Sequence, residues 1–181
     1  MGRAETIRHL RLLPGLNEAQ TKEFWQAPAF ASGVAKGIVV ELLGNARTEW
    51  LLKLFHAYPQ HYIYWCEREP SINPVAISQR GIDLSRIKFV NSTSNLQQPI
   101  RLALESGHYP FVVAPTGFDE VRIFQRFQLL AEKSKSTLFL LGENKFTDAW
   151  PIALQLEITA DDSEAVGFKI DISRQKHGLD L

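Results

Sequence analysis

The clearest chemical pattern in the chain lies in Gly37–Leu52, GIVVELLGNARTEWLL, where an apolar run passes through a glycine into a helix-like run. That outline belongs to a phosphate-binding loop. Such a loop needs Gly-x4-Gly-Lys-Ser/Thr, so that backbone N–H groups wrap the phosphates, the lysine neutralises them and the hydroxyl holds Mg2+. Counted from Gly44, the second glycine, the lysine and the hydroxyl positions hold Glu49, Trp50 and Leu51. A carboxylate repels phosphate, and neither an indole nor an aliphatic side chain replaces an ammonium or a Mg2+ ligand. The pattern predicts the architecture of the loop without its chemistry. Trp50 then either plugs the vacated pocket or stands exposed as an interface anchor. Plugging is preferred, because it buries on the order of 150–250 Å2 of aromatic surface in exchange for the lost ligand.

Arg47 and Lys53 are candidate replacement cations, and Glu69 a candidate general base. Each has a plainer explanation. Without a metal or a phosphate, Glu69 has nothing against which to activate water, and reads as a solvated loop acid. Arg47 and Lys53 read as surface charges. No cofactor or metal is expected.

These residues sit on an alternation of strand-like and helix-like segments. IVVELL is a near-continuous apolar run, followed by a helix from about Arg47 to Tyr58 and a strand in HYIYWC. Strands apolar on both faces imply a buried parallel sheet. A helix opens near Pro74 and ends at Gly81. IKFVN, YPFVVA and STLFLLG read as further strands, separated by helices in LQQPIRLALESG and Asp119–Lys133; the second aligns Val121, Phe124, Phe127, Leu130 and Ala131 on one face. LQLEIT and GFKIDIS, joined by the polar turn ADDSEAV, read as an antiparallel hairpin. The fold class is therefore α/β, a mainly parallel sheet with helices on both faces and a C-terminal antiparallel hairpin. Its ligand edge should gather Leu43–Arg47, Glu67–Asn73, Ala114–Phe118 and Gly142–Lys145. Residues 1–36 show no strand pattern. They read as an N-terminal arm with a helix through NEAQTKEFWQA, opened by a capping box at Asn17 and Gln20, before a core domain spanning 37–181.

The 181 residues are 45% hydrophobic, with twenty basic and twenty acidic side chains that cancel to zero formal charge. A dedicated duplex-binding domain usually carries a positive excess, so strong nucleic-acid binding is disfavoured. Cys66 is the only cysteine. It excludes an internal disulfide and reads as a buried strand thiol in a reducing, cytoplasmic setting. No run reaches membrane-span length, and MGRAETIRHL lacks a signal-peptide core. Gly2 and Thr6 fit a myristoylation pattern too short to outweigh chance.

The order of elements resembles the RecA-type ATPase core from about Gly37 to Gly178. GIVVELLG resembles that family's strand and first P-loop glycine. WCEREPSINP resembles the strand bearing its catalytic glutamate, which would place Glu69 at that position, and RGIDLSRIKFV resembles the segment leading into the next strand. ALESGHYPFVVAP resembles the approach to the Walker B carboxylate, and Ala114 stands where the family has Asp. The resemblance thus implies a degenerate nucleotide site at Gly44, Glu49, Trp50, Leu51, Glu69 and Ala114. Glu143 would occupy the place of the family's polar sensor, or be a plain loop residue. The connection ENKFTDAWPIA is short and carries two acids, unlike the DNA-engaging loops of a recombinase.

RGIDLSRIKFVNSTSNLQQPIRLALESGHYPFVVA resembles a segment shared by two bacterial branches that keep the fold without its carboxylate. These are the ImuA proteins of SOS mutagenesis cassettes and the SulA-type division inhibitors. The tail GFKIDISRQKHG is more similar to ImuA. By resemblance, the chain is a non-catalytic binding module of the DNA-damage response. RecA, an ImuB-type polymerase-like protein or, on the SulA reading, FtsZ would be its partners. An unconventional nucleotide hydrolase using Glu69 is the enzyme alternative.

Two short motifs bear on partners. FWQA has the Phe-x-x-Ala form, with Phe24 and Ala27, by which some recombinases dock on the next subunit; Phe24, Trp25 and Phe30 read more simply as a staple of the arm onto the chain's own core. GLDL, with Leu179 and Leu181, partly resembles the clamp-binding motif of replication proteins, and otherwise is a frayed terminus.

Overall fold

The computed structural model describes residues 22–165 and 167–176. Asn17, Gln20, the Gly2/Thr6 pattern and the tail residues Leu179 and Leu181 lie outside the described residues.

Among the described residues, nine strands form two sheets. Phe24–Ala27 (β1) and Phe30–Ala35 (β2) make an antiparallel hairpin. The other seven are Val39–Leu43 (β3), Ile63–Glu67 (β4), Ile87–Asn91 (β5), Phe111–Pro115 (β6), Thr137–Leu141 (β7), Leu154–Ala160 (β8) and Phe168–Gln175 (β9). They lie in the order β5-β4-β6-β7-β3-β8-β9. All neighbours are parallel except β8 and β9, which form the expected antiparallel pair at one edge. The helices are Arg47–Ala57 (α1), Pro74–Gln79 (α2), Gln97–Ser106 (α3) and Val121–Ser134 (α4), with a 3-10 turn at Leu84–Arg86.

Alternation along the strands divides the core in two. Val40, Leu42, Ile63, Trp65, Phe111, Val113 and Phe139 face a cluster completed by α1 and the hairpin. Val39, Tyr64, Cys66, Val112, Ala114, Leu138 and Leu140 face the opposite cluster, closed by α3 and α4. Both faces of the parallel strands are therefore covered, as their apolar runs require. On α4, Phe124, Phe127 and Ala131 are buried as the helical spacing predicts, whereas Val121 is 39% exposed.

The helix ends follow local chemistry. Asn73 Oδ1 accepts from Val75 N, and Pro74 starts α2 without a wasted donor. Gly107, at φ 63°, closes α3. The C-terminus of α1 has no glycine; buried Arg86 instead donates to the carbonyls of Phe55, Tyr58 and His61 at 2.5, 2.6 and 3.3 Å. A guanidinium fork thus satisfies carbonyls that the helix leaves open.

The N-terminal reading needs correction. Residues 24–27 and 30–35 are strands, and the expected helix through NEAQTKEFWQA does not extend over Phe24–Ala27. Helical propensity yields here to a tertiary anchor. Trp25 points inward, 2% exposed, and its Nε1 donates to Thr137 Oγ1 at 2.9 Å, while Gln26 points out. Tyr58 and Phe111 pack on its ring at centroid distances of 5.0 and 4.6 Å. Gly33, at φ 69°, lets the strands close, since a Cβ there would sit 2.7 Å from Trp25 O. The hairpin belongs to the core it covers.

Candidate functional site

The parallel sheet brings its ligand edge together as the topology predicts. The segments after β4, β6, β7 and β3 are neighbours in that order, and contacts tie them. Arg68 Nη2 donates to Gly117 O at 3.4 Å, Thr116 N to Leu141 O at 3.2 Å and Gly142 N to Leu42 O at 2.9 Å.

Between β3 and α1 only Gly44, Asn45 and Ala46 intervene. α1 begins at Arg47, so Thr48, Glu49, Trp50 and Leu51 are helical rather than part of an open loop. Gly44 lies at φ 92°, and a Cβ would meet Ile158 O at 2.0 Å; the loop is pressed against β8. Ala46 N donates to Ile158 O at 3.1 Å, Ala160 N donates to Asn45 Oδ1 at 3.1 Å, and Arg47 Nη1 donates to Gly44 O at 2.7 Å. These groups face the protein's own backbone rather than an open cradle.

Trp50 is fully buried, and its indole N–H donates to Pro28 O at 2.6 Å, in the turn of the β1–β2 hairpin. Its ring meets Phe139 edge-on at 6.5 Å. Leu51 is buried beside it, while Glu49 turns to the surface and pairs with Arg80 Nε at 2.6 Å. Lys53 places its Nζ 4.5 Å from the Phe168 ring centroid.

The backbone is similar to that of the crystal structure of the RadB recombinase, with a TM-score of 0.59 and 13% sequence identity, covering 80% of this chain and 84% of that one. The fold is RecA-like. No family model matches the sequence, and no curated protein does.

Within this RecA-like core the remaining expected residues scatter. Ala114 is buried in the cluster on the opposite face from Trp50 and Leu51, so the two groups do not share a cavity. Glu69 and Glu143 are exposed. The carboxylate that organises the loop after β4 is Glu67, which accepts from Trp65 Nε1 at 3.0 Å, Ser71 Oγ at 2.7 Å and Ser71 N at 2.8 Å. Phe24 and Ala27 are partly buried against the hairpin's own core, an arrangement that favours the staple. Cys66 is buried, and burial pushes its thiol up to about 11, with Glu67 adding to the effect. No group of three or more His, Cys, Asp or Glu among the described residues is placed to hold a metal ion. No described helix is long and apolar enough to cross a membrane.

One buried acid escapes the sequence reading. Glu41, in the middle of β3, is fully buried. Gln155 Nε2 donates to its Oε2 at 2.6 Å, Thr147 N to both oxygens at 3.1 Å and Thr147 Oγ1 to Oε2 at 3.2 Å. Burial holds its pKa above the ordinary value, opposed by these hydrogen bonds. Its oxygens are occupied by protein donors, so it fastens the connection after β7 to β3 and β8. The signal was a single acid inside VVELL, a strand otherwise apolar on both faces.

Proposed function

We propose that this chain is a non-catalytic, protein-binding RecA-like module of the bacterial DNA-damage response, most similar to the ImuA accessory factors of translesion mutagenesis. The observation that carries the reading is Trp50. At the place of the phosphate-binding lysine, a fully buried indole gives its only polar hydrogen to Pro28 O. A nucleotide would have to displace that side chain and the hairpin turn above it.

Three further features support loss of ATP chemistry. The turn after β3 is too short to wrap a phosphate before α1 begins. Arg47, a candidate replacement cation, donates through Nη1 to Gly44 O. Ala114 offers no carboxylate to support Mg2+. What such a core retains is surface for partners; by resemblance these are RecA, an ImuB-type polymerase-like protein or a polymerase recruited with them.

Calorimetry with ATP and Mg2+ at protein concentrations that detect micromolar binding tests the catalytic half of the proposal. No Mg2+-dependent binding and no turnover is the expected outcome; saturable Mg2+-dependent binding with hydrolysis that Glu69→Gln abolishes would overturn it in favour of an unconventional hydrolase. For the partner half, pull-down against purified RecA and an ImuB-type protein should recover at least one of them. Recovery of FtsZ alone, with cell filamentation on overexpression, would move the chain to the SulA-type reading.

A further inference from the structure

A groove of about 420 Å3 opens between α3 and α4, on the face of the sheet opposite α1. Both helices start at the carboxyl edge, α3 after β5 and α4 after β6, where open α/β sheets place ligands. Its lining carries Arg101 from α3, Arg122 and Arg126 from α4, and the side chains of Asn95, Gln97 and Gln98; no acid lines it.

Three arginines line one groove in a chain whose total formal charge is zero. Arg122 and Arg126 are one helical turn apart, a spacing at which like charges repel unless an anion lies between them. Neither has a hydrogen-bonded or ion-paired partner among the described residues. Arg101 is partly balanced, with Glu105 Oε1 3.7 Å from its Nε.

We propose that this groove binds a compact phosphate-bearing ligand, recognised through its phosphate group by Arg101, Arg122 and Arg126. A single carboxylate, with one negative charge and two oxygens, is satisfied by one guanidinium fork. A phosphate group offers more charge and more acceptor oxygens, which suits three. The volume falls in the range of small-molecule sites. The lining argues against an extended single strand, which needs aromatic platforms for stacking; the aromatic present, Phe127, is 2% exposed and packed in the core. The helix terminus contributes little, because Asn95 Oδ1 already accepts from Gln97 N and Gln98 N at 3.0 and 3.3 Å. Affinity therefore rests on the arginines. The inference is independent of the partner assignment above.

Titration of the full chain with inorganic pyrophosphate at low salt, followed by calorimetry, tests the site. Saturable binding is expected, weakened at least about tenfold in Arg122→Ala/Arg126→Ala and in Gln98→Glu, which places a carboxylate in the groove. Lys133→Ala, a charge removal at the far end of α4, should leave it unchanged. Circular dichroism confirms that each variant is folded, and Gln98→Glu decides the matter where the double variant is not. No saturable binding, or binding that survives both groove variants, would overturn the proposal. Competition separates sources of the phosphate. Displacement by a 5′-phosphorylated oligonucleotide but not its unphosphorylated twin supports a terminal phosphate; equal displacement by both would overturn the compact site in favour of a strand backbone. ATP heat that vanishes in Arg122→Ala/Arg126→Ala belongs to this groove, whereas Mg2+-dependent heat that persists there counts against the non-catalytic reading alone.

Discussion

Two stretches of the same sheet edge differ in what covers them. After β3, the loop that a phosphate would occupy is closed by protein: Gly44 lies on β8, Asn45 and Ala46 bond to it, and Trp50 fills the space beneath the hairpin turn. Between α3 and α4, three arginines line an open groove whose lining contains no acid. Within one RecA-like fold, packing closes the loop after β3, while the ends of another pair of helices leave arginines lining an open groove. What a sheet edge leaves open depends on what covers it rather than on the fold.

The sharpest way to break that contrast is to empty the closed side. Trp50→Ala leaves a cavity in a fully packed region and strands Pro28 O, so it should cost about 3–5 kcal/mol in urea unfolding. If the loss were below 1 kcal/mol, the indole would not be the plug described. Next comes the fastening under the edge. Glu41→Ala orphans Thr147 N and removes the acceptor of Gln155, for a loss of about 2–4 kcal/mol.

The pH dependence of Glu41→Ala has a definite sign. Burial raises the pKa of Glu41 in the folded state, so the group's contribution is fully present below its unfolded value and declines as pH rises through the folded one. The deficit of Glu41→Ala should therefore be larger at pH 4 than at pH 7 in parallel urea titrations, and a deficit that grows with pH would contradict the assignment.

Smaller effects refine the comparison. Ala29 holds φ 55° in the hairpin turn that roofs Trp50. Ala29→Gly should relieve that strain and raise stability by about 0.5–1 kcal/mol, seen as a higher melting temperature. On the open side, Arg122→Ala/Arg126→Ala should change stability by less than about 0.5 kcal/mol, because neither side chain has a protein partner to lose. A large loss there would mean that the arginines serve the fold and not a ligand.

The sheet was legible because its strands are short apolar runs between turn residues, and Gly81, Gly107 and Pro74 mark helix ends by local rules. The burial of Trp50 was legible too, from a large indole at the start of a helix. The hairpin was not. Its strands depend on Trp25 reaching Thr137, a contact more than a hundred positions away, which no window of local periodicity contains. Arg86 likewise depends on carbonyls about thirty positions away, which local periodicity does not contain. The groove was hidden for a related reason. Arg101 and the Arg122/Arg126 pair lie on different helices, and a neutral total charge conceals a local excess that only packing brings together.

The position of β3 has a consequence for how the chain is made. It is the first strand of the large sheet to leave the ribosome, yet its two neighbours are β7 and β8, which begin at Thr137 and Leu154. The β4–β5 pair can form from Ile63–Asn91 alone, and β6 can join it once Phe111–Pro115 appears. Nascent β3, with α1 behind it, must wait as an unpaired apolar segment until most of the polypeptide has been synthesised. Synthesis at about 5–20 residues per second makes that an interval of several seconds. During this interval GIVVELLG is the stretch a holdase chaperone would protect, and the stretch through which a truncated product would aggregate.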